Sequence, residues 1–422
     1  MEMQRDKIEK IMVPTKKISI VGRGTAGCIA YLNLLKQPQD IEIDWYYDSD
    51  IPTSSVGEGT TPLFPNLLAE LGHAEASKLH RGAEFIDISS GDNYDILDAR
   101  PKIGIEYINW GEKDYIHPFG VGSHGIHFDA TKFQKHVFNN LTDKPKVNLI
   151  NKNVDVNNID SWAIINAAGY PKEINDDYRV PKFICVNAAH VTQCDWPDEP
   201  KWLHTKTIAR PWGWVFVIPL MSRCSVGYLY NRDIATLEMV KADVENVIDE
   251  LGVIPNGKTN SFHFENYVRN KLVDGQVIHI GNAGFFLEPM EATTLDGVIR
   301  TLDFLNHGIQ HGGTHADEAN TLLHKFFREI EYFIMMHYAA GSKWNNEFWD
   351  YAKERGRKAL EEAQMDIDFY PLYMENVHRS RTILQYFTQY SYKSNLDGLG
   401  IKGIGYSDEF MGEYTQQTQT NR

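Results

Sequence analysis

The segment from Ile18 to Asp48 constrains the fold more than any other. Ile18-Ser19-Ile20-Val21 is short, apolar and β-branched, as a strand buried on both faces must be. It runs into Gly22-Arg23-Gly24-Thr25-Ala26-Gly27, and an apolar run from Cys28 to Leu35 follows at helical spacing. Ile41 to Tyr47 reads as a second strand, closed by Asp48. The whole is a βαβ unit, right-handed by default. Gly22 permits the tight turn out of the strand, Gly24 lets the backbone approach a pyrophosphate, and Gly27 lets the helix pack close to the sheet. The helix start then offers free N–H groups to an anion. Asp48, 21 residues past Gly27, stands where an acid can bind ribose hydroxyls. Gly22, Gly24, Thr25, Ala26, Gly27 and Asp48 are therefore the expected dinucleotide cradle.

Two later segments repeat the theme of a buried strand running into glycine. They are Asp160 to Gly169 and Val277 to Gly284, the second leading to a helix from about Leu295. Their ends can meet the first strand at one edge of a single parallel sheet, where ligands bind in α/β folds. Between them, Trp202 to Tyr230 is aromatic-rich and alternating, and reads as β-sheet. From Ala316 to about Tyr392 the pattern is helical, with Leu322, Leu323, Phe326, Phe327, Ile330, Phe333 and Ile334 on one stripe. At about 150 residues per domain, 422 residues make two to three units or one composite.

Composition narrows the function. Asp and Glu outnumber Lys and Arg by 57 to 42, and a net charge of −15 repels nucleic acid and anionic membranes, so neither is an expected partner. No apolar run approaches the ~20 residues of a membrane helix. Met1 to Lys17 has no apolar core and does not read as a secretory signal. The four cysteines are scattered, which argues against a disulfide framework and for a reducing, cytoplasmic setting. His307, His311 and His315 share a helical spacing that Gly312 and Gly313 interrupt, so no metal site is expected. No second glycine unit has the strand-then-helix setting that NAD(P)H would need.

Several motifs, in a shared order from Ile18 to about Tyr338, resemble the flavin-dependent tryptophan-halogenase family. They are Gly22–Gly27, Val56–Pro62, Lys102–Trp110, His117–Gly120, Gly213–Pro219 and Pro289–Thr293. The resemblance implies an α/β fold: an FAD-binding Rossmann-like domain of the flavin monooxygenase type, a β-rich substrate layer and a helical C-terminal region. The expected boundaries are FAD binding at 16–100, a catalytic-lysine and substrate-facing segment at 101–145, FAD binding again at 146–180, a β-rich substrate domain at 181–264, FAD binding with the halide and glutamate loop at 265–315, and a helical cover at 316–422. It further implies FAD, used as FADH2, dioxygen and a halide ion, with hypohalous acid travelling to a small aromatic substrate.

Residue by residue, Lys102 resembles the family's essential lysine and Glu291 its glutamate. An ammonium can hold and polarise hypohalous acid, and a carboxylate can stabilise a cationic arene. Val56, Gly57, Glu58 and Gly59 resemble a strap that crosses the flavin. Asn282 stands where such proteins often carry Asp against the ribityl chain, and Leu295 falls at the cofactor-side helix start. Thr293 and Thr294 match the halide turn, but where the family commonly has Ser, Thr and Gly after the glutamate this chain has Ala292, Thr293 and Thr294, so a hydroxyl is lost and a Cβ gained there. Bromide or iodide is therefore expected over chloride. His117 and Phe119 match substrate-facing positions. Trp214 and Phe216 match rings that wall flavin from substrate, with Phe216 in place of the usual Trp. A separate flavin reductase is the implied partner, and assembly as a homo-oligomer is left open. An indole, phenol or pyrrole is the expected substrate class. Two rivals remain: a flavin-dependent aromatic monooxygenase, and a flavin-binding, redox-responsive protein without turnover.

Overall fold

A computed structural model describes residues 16–37, 40–53, 57–70, 94–120, 122–198, 202–313, 315–365 and 386–401. The described residues begin with β1 (Lys16–Val21), α1 (Thr25–Leu35), β2 (Ile41–Tyr47), β3 (Gly57–Gly59), β4 (Arg100–Lys102), β5 (Gly104–Ile108), β6 (Tyr115–Pro118) and β7 (Gly125–Asp129). There follow α2 (Ala130–Asn140), β8 (Val147–Asn151), β9 (Ala163–Asn166), β10 (Tyr178–Arg179), β11 (Ala188–Asp195), β12 (His204–Arg210), β13 (Gly213–Pro219), β14 (Arg223–Tyr230) and α3 (Leu237–Leu251). The last part carries β15 (Ile254–His263), β16 (Tyr267–Arg269), β17 (Val273–Asp274), β18 (Val277–His279), β19 (Phe285–Phe286), α4 (Thr294–His311), α5 (Ala316–Ala340), α6 (Glu347–Met365) and α7 (Gln389–Leu399).

The first sheet has the order β17-β18-β9-β1-β2-β8, parallel throughout except at β17. Its strands come from distant parts of the chain, and the parallel strands β1, β2, β9 and β18 all end at one edge, β1, β9 and β18 running on to Gly22, Gly169 and Gly281. Helix α1 is buried from Gly27 to Leu34, because the sheet and α4 enclose it. An apolar surface all round is what such a helix needs.

The second sheet has the order β15-β11-β14-β13-β12-β5-β6. Strand β13 alternates across it: Trp214 and Phe216 face the main core, while Val215 and Val217 face a smaller core under α3. A third, small sheet, β3-β7-β4, joins two segments far apart in sequence. Pro101 sits on its edge strand β4, where a missing N–H costs no ladder bond. The α/β class, the β-rich layer and the C-terminal helices are all present. Among the described residues no helix is long and apolar enough to cross a membrane.

Candidate active site

The small sheet sets the geometry. Strand β7 pairs with β3 on one side and β4 on the other, with Gly59 opposite His127 and Lys102 opposite Gly125. The strap and the lysine are thus hung on one strand. Lys102 is 0% exposed. Its ammonium has no hydrogen-bond partner among the described residues and lies 5.4 Å from the centre of the Phe119 ring. A Cβ on Gly59 would stand 3.3 Å from His127, 3.4 Å from the Thr205 hydroxyl and 3.6 Å from Lys102 Nζ, so the lysine lies in a tight polar niche. Burial pushes the Lys102 pKa down to about 8, against the opposing pull of Glu291 and Asp296. Burial likewise pushes His127 well below its ordinary range, and its Nδ1 also has no hydrogen-bond partner among the described residues.

Glu291 is buried in the turn before α4. It accepts hydrogen bonds from the Tyr107 hydroxyl and from His337 Nε2 at 3.3 Å, and His117 Nδ1 stands 3.8 Å from its second oxygen. Burial alone would raise its pKa, but the hydrogen bonds from His337 and Tyr107 and the charge of His337 outweigh it and hold the group below its usual range. The loop has a second anchor. Glu288 accepts from Trp214 Nε1 at 2.7 Å and from the Tyr338 hydroxyl. His337 and Tyr338 are neighbours on α5, so one turn of that helix clamps both ends of the Glu288–Glu291 loop. Buried carboxylates persist only when so satisfied; Glu288 is still pushed up to about 7 by burial.

The turn itself is unusual. Ala292 has φ +56°, a left-handed conformation that favours glycine. Thr293 caps α4 without a side-chain cap bond, and Thr294 follows half-buried. Asp296, in the first turn of α4, accepts from Thr61 at 2.7 Å and from the Tyr386 hydroxyl at 2.5 Å. It thereby ties the segment after the strap to the C-terminal part.

The cradle at the sheet edge fits a dinucleotide. Gly22 has φ +107°, and a side chain there would collide with the Ala167 carbonyl. Around Gly24, by contrast, a Cβ would meet nothing within 4 Å, and α1 starts there with no side-chain cap. That opening beside uncapped N–H groups suits a pyrophosphate. Asp48 follows the end of β2 and takes bonds from the Asp50 N–H at 2.9 Å and Asn153 at 3.2 Å. Gly281 comes within 2.8 Å of the Ala26 methyl when given a Cβ, so the Asn282 turn abuts the start of α1. Glu58 accepts from the Thr25 hydroxyl at 2.9 Å and ties the strap to the same helix start. Its burial pushes it up to about 7.

The predicted residues thus form two groups. Gly22, Gly24, Thr25, Ala26, Gly27, Asp48, Gly57, Glu58, Gly59 and Asn282 gather around the sheet edge and strap. Lys102, His117, Phe119, Glu291, Thr293 and Thr294 gather around the niche and the turn before α4. Val56 lies outside the described residues. Leu295 points into the hydrophobic core, and Trp214 is 1% exposed with its indole N–H on Glu288, while Phe216 packs over Gly227. Tyr107, His127, His337 and Asn395 were not anticipated. Only His337 had a sequence signal: it continues the buried stripe of α5 as its one histidine on that face.

The family model described as tryptophan halogenase matches residues 17–176 and 172–409. A 7-chloro-L-tryptophan 6-halogenase of Kutzneria sp. (strain 744) is 24% identical over 168 residues, 36% of this chain and 30% of that protein. A tryptophan 6-halogenase of Streptomyces toxytricini is 21% identical over 48% of this chain and 38% of its own length. The chain thus spans about a third of the length of these curated relatives. A solved tryptophan halogenase from Shewanella frigidimarina superposes with a TM-score of 0.76 at 20% identity, over 96% of this chain and 93% of that one. A flavin-dependent halogenase from Xanthomonas campestris gives 0.75 at 18%, over 93% and 90%. At these identities the structural likeness is one of fold.

Proposed function

The chain belongs to the tryptophan halogenase family, and from that premise and the site's geometry we propose that it is a flavin-dependent halogenase acting on an electron-rich aromatic carbon. Gly22–Gly27, Asp48 and Asn282 would hold FAD, which when bound and reduced would supply two electrons to dioxygen; a halide would supply two more, giving water and hypohalous acid. A separate reductase delivers the reduced flavin.

The observation that carries the reading is Lys102: a fully buried ammonium with no hydrogen-bond partner among the described residues, within the field of a buried carboxylate. An arrangement that costs the fold this much needs a chemical use. Lys102 donates a hydrogen bond to the hypohalous oxygen and polarises the halogen towards the arene. As the carbon–halogen bond forms and the halogen–oxygen bond breaks, the lysine proton passes to the departing hydroxide and makes water. The proton lost from the arene restores the lysine. Glu291, held as an anion, stabilises the positive charge on the ring before that proton leaves. With a pKa of about 8, Lys102 gives up and regains its proton readily near neutrality.

The substrate class is an indole, phenol or pyrrole, and the halide is bromide or iodide in preference to chloride. Ala292 and Thr294 support the second point: the hydroxyl missing at the first and the Cβ present at the second weaken the turn that would hold an anion, and heavier halides are more easily oxidised. Phe216 in place of Trp favours a second reading, aromatic hydroxylation. Product mass tests both. The expected result, with FAD, reductase, oxygen and a panel of arenes, is a product that appears only with added halide and carries it. A product carrying oxygen and indifferent to halide would replace halogenation with hydroxylation.

A further inference from the structure

We propose that His337 and Asn395 are positioning residues, with His337 donating from both ring nitrogens so that Glu291 is kept as a charge-stabilising anion rather than a base; the inference rests on the reading of Glu291 as the working carboxylate. The assignment follows from what each nitrogen faces. His337 Nδ1 lies 2.9 Å from the Phe333 carbonyl oxygen, which can only accept. His337 Nε2 lies 3.2 Å from Asn395 Oδ1 and 3.3 Å from Glu291 Oε1.

The amide orientation of Asn395 is fixed independently. Its nitrogen lies 2.9 Å from the Ser391 carbonyl oxygen, which requires a donor there. The Asn395 oxygen must then turn to His337, where it also takes the Tyr115 hydroxyl at 2.8 Å. His337 Nε2 therefore meets two acceptors and must donate. With donors at both nitrogens, the ring is an imidazolium against the Glu291 carboxylate.

The same amide sorts the two histidines. Asn395 Nδ2 donates to His117 Nδ1 at 3.2 Å, so His117 carries its hydrogen on Nε2 and is neutral. Burial also lowers the His117 pKa. The groups that face His337 come from three further elements: Tyr107 on β5, Tyr115 and His117 on β6, and Glu288 and Glu291 in the loop before α4; Lys102 acts on the group through His117. Tyr107 stacks on His337 at 4.9 Å and 24°, a face that favours a cation, while donating its own hydroxyl to Glu291. A carboxylate holding two such donors is a weak base and a strong electrostatic partner. One residue of the C-terminal helix α7 thereby completes a site whose other members lie elsewhere in the fold.

Nitrogen-15 NMR of histidine-labelled, flavin-free protein near neutral pH tests the assignment without turnover. The His337 signal, identified by its loss in His337→Gln and its displacement in Asn395→Leu, should show both ring nitrogens protonated. In turnover, His337→Gln should move the acid limb of kcat/KM upward by about one pH unit, with flavin affinity unchanged. A neutral His337 ring in the wild type, or an acid limb that stays in place, overturns the proposal and leaves the halogenase reading standing. A wild type that halogenates nothing sinks that reading, while the NMR result still decides the protonation of His337.

Discussion

Replacing Lys102 with methionine should make the protein more stable, by an amount that depends on pH in a stated way. The ammonium is buried with no hydrogen-bond partner among the described residues, and burial moves its pKa from 10.5 to about 8. That displacement corresponds to about 3 kcal/mol, the cost to the folded state of keeping the charge. Below about pH 8 both folded and unfolded chains hold the proton, so the full cost is present. Between about 8 and 10.5 the unfolded chain holds more protons than the folded one, so wild-type stability rises with pH. Methionine matches the lysine stem in length and breaks no hydrogen bond. Lys102→Met should therefore exceed the wild type by about 3 kcal/mol at pH 7, and the gap should close towards pH 10. Urea denaturation across that range, compared through the midpoint difference, measures it. A variant less stable than wild type at pH 7, or a gap that does not change with pH, would refute the reasoning.

Other expectations follow from single contacts. Gly24→Val should fold normally, since nothing lies within 4 Å of its Cβ, yet lose at least about tenfold in flavin affinity, about 1.4 kcal/mol, by fluorescence titration. Gly22→Ala should instead lose about 2 kcal/mol or more of stability, because its φ is +107° and the new methyl meets the Ala167 carbonyl. Ala292→Gly should gain about 1 kcal/mol in urea denaturation by relieving a left-handed alanine. Trp214→Phe leaves Glu288 short of a donor and should cost about 1–3 kcal/mol in urea, with slower halogenation because the loop before α4 loses an anchor.

Local periodicity carried the sequence reading where the chain's own neighbours decide the structure. Ile41–Tyr47 is a strand as read, and α4 starts one residue before the expected Leu295. The glycines of Gly22–Gly27 announced a turn and a close approach because only glycine meets those demands. The site was legible only in part, because it depends on pairings between distant segments. The enclosure of Lys102 requires β4 and β3 to share β7, which no spacing reveals. Tyr107 looks like an ordinary inward strand residue until β5 meets the loop of Glu291. His337 is one more position on a buried helical stripe, and Asn395 lies on a helix whose packing on β6 is a tertiary matter. Trp214 illustrates the reverse: an aromatic strand residue that is core, and acts on the site through Glu288.

The most direct test of the account compares wild type and Lys102→Ala under turnover, with a soluble scavenger of hypohalous acid in one arm and the arene in the other. The variant should reoxidise reduced flavin and halogenate the scavenger as the wild type does, while its arene product disappears. Arene halogenation at the wild-type yield would contradict the role given to Lys102.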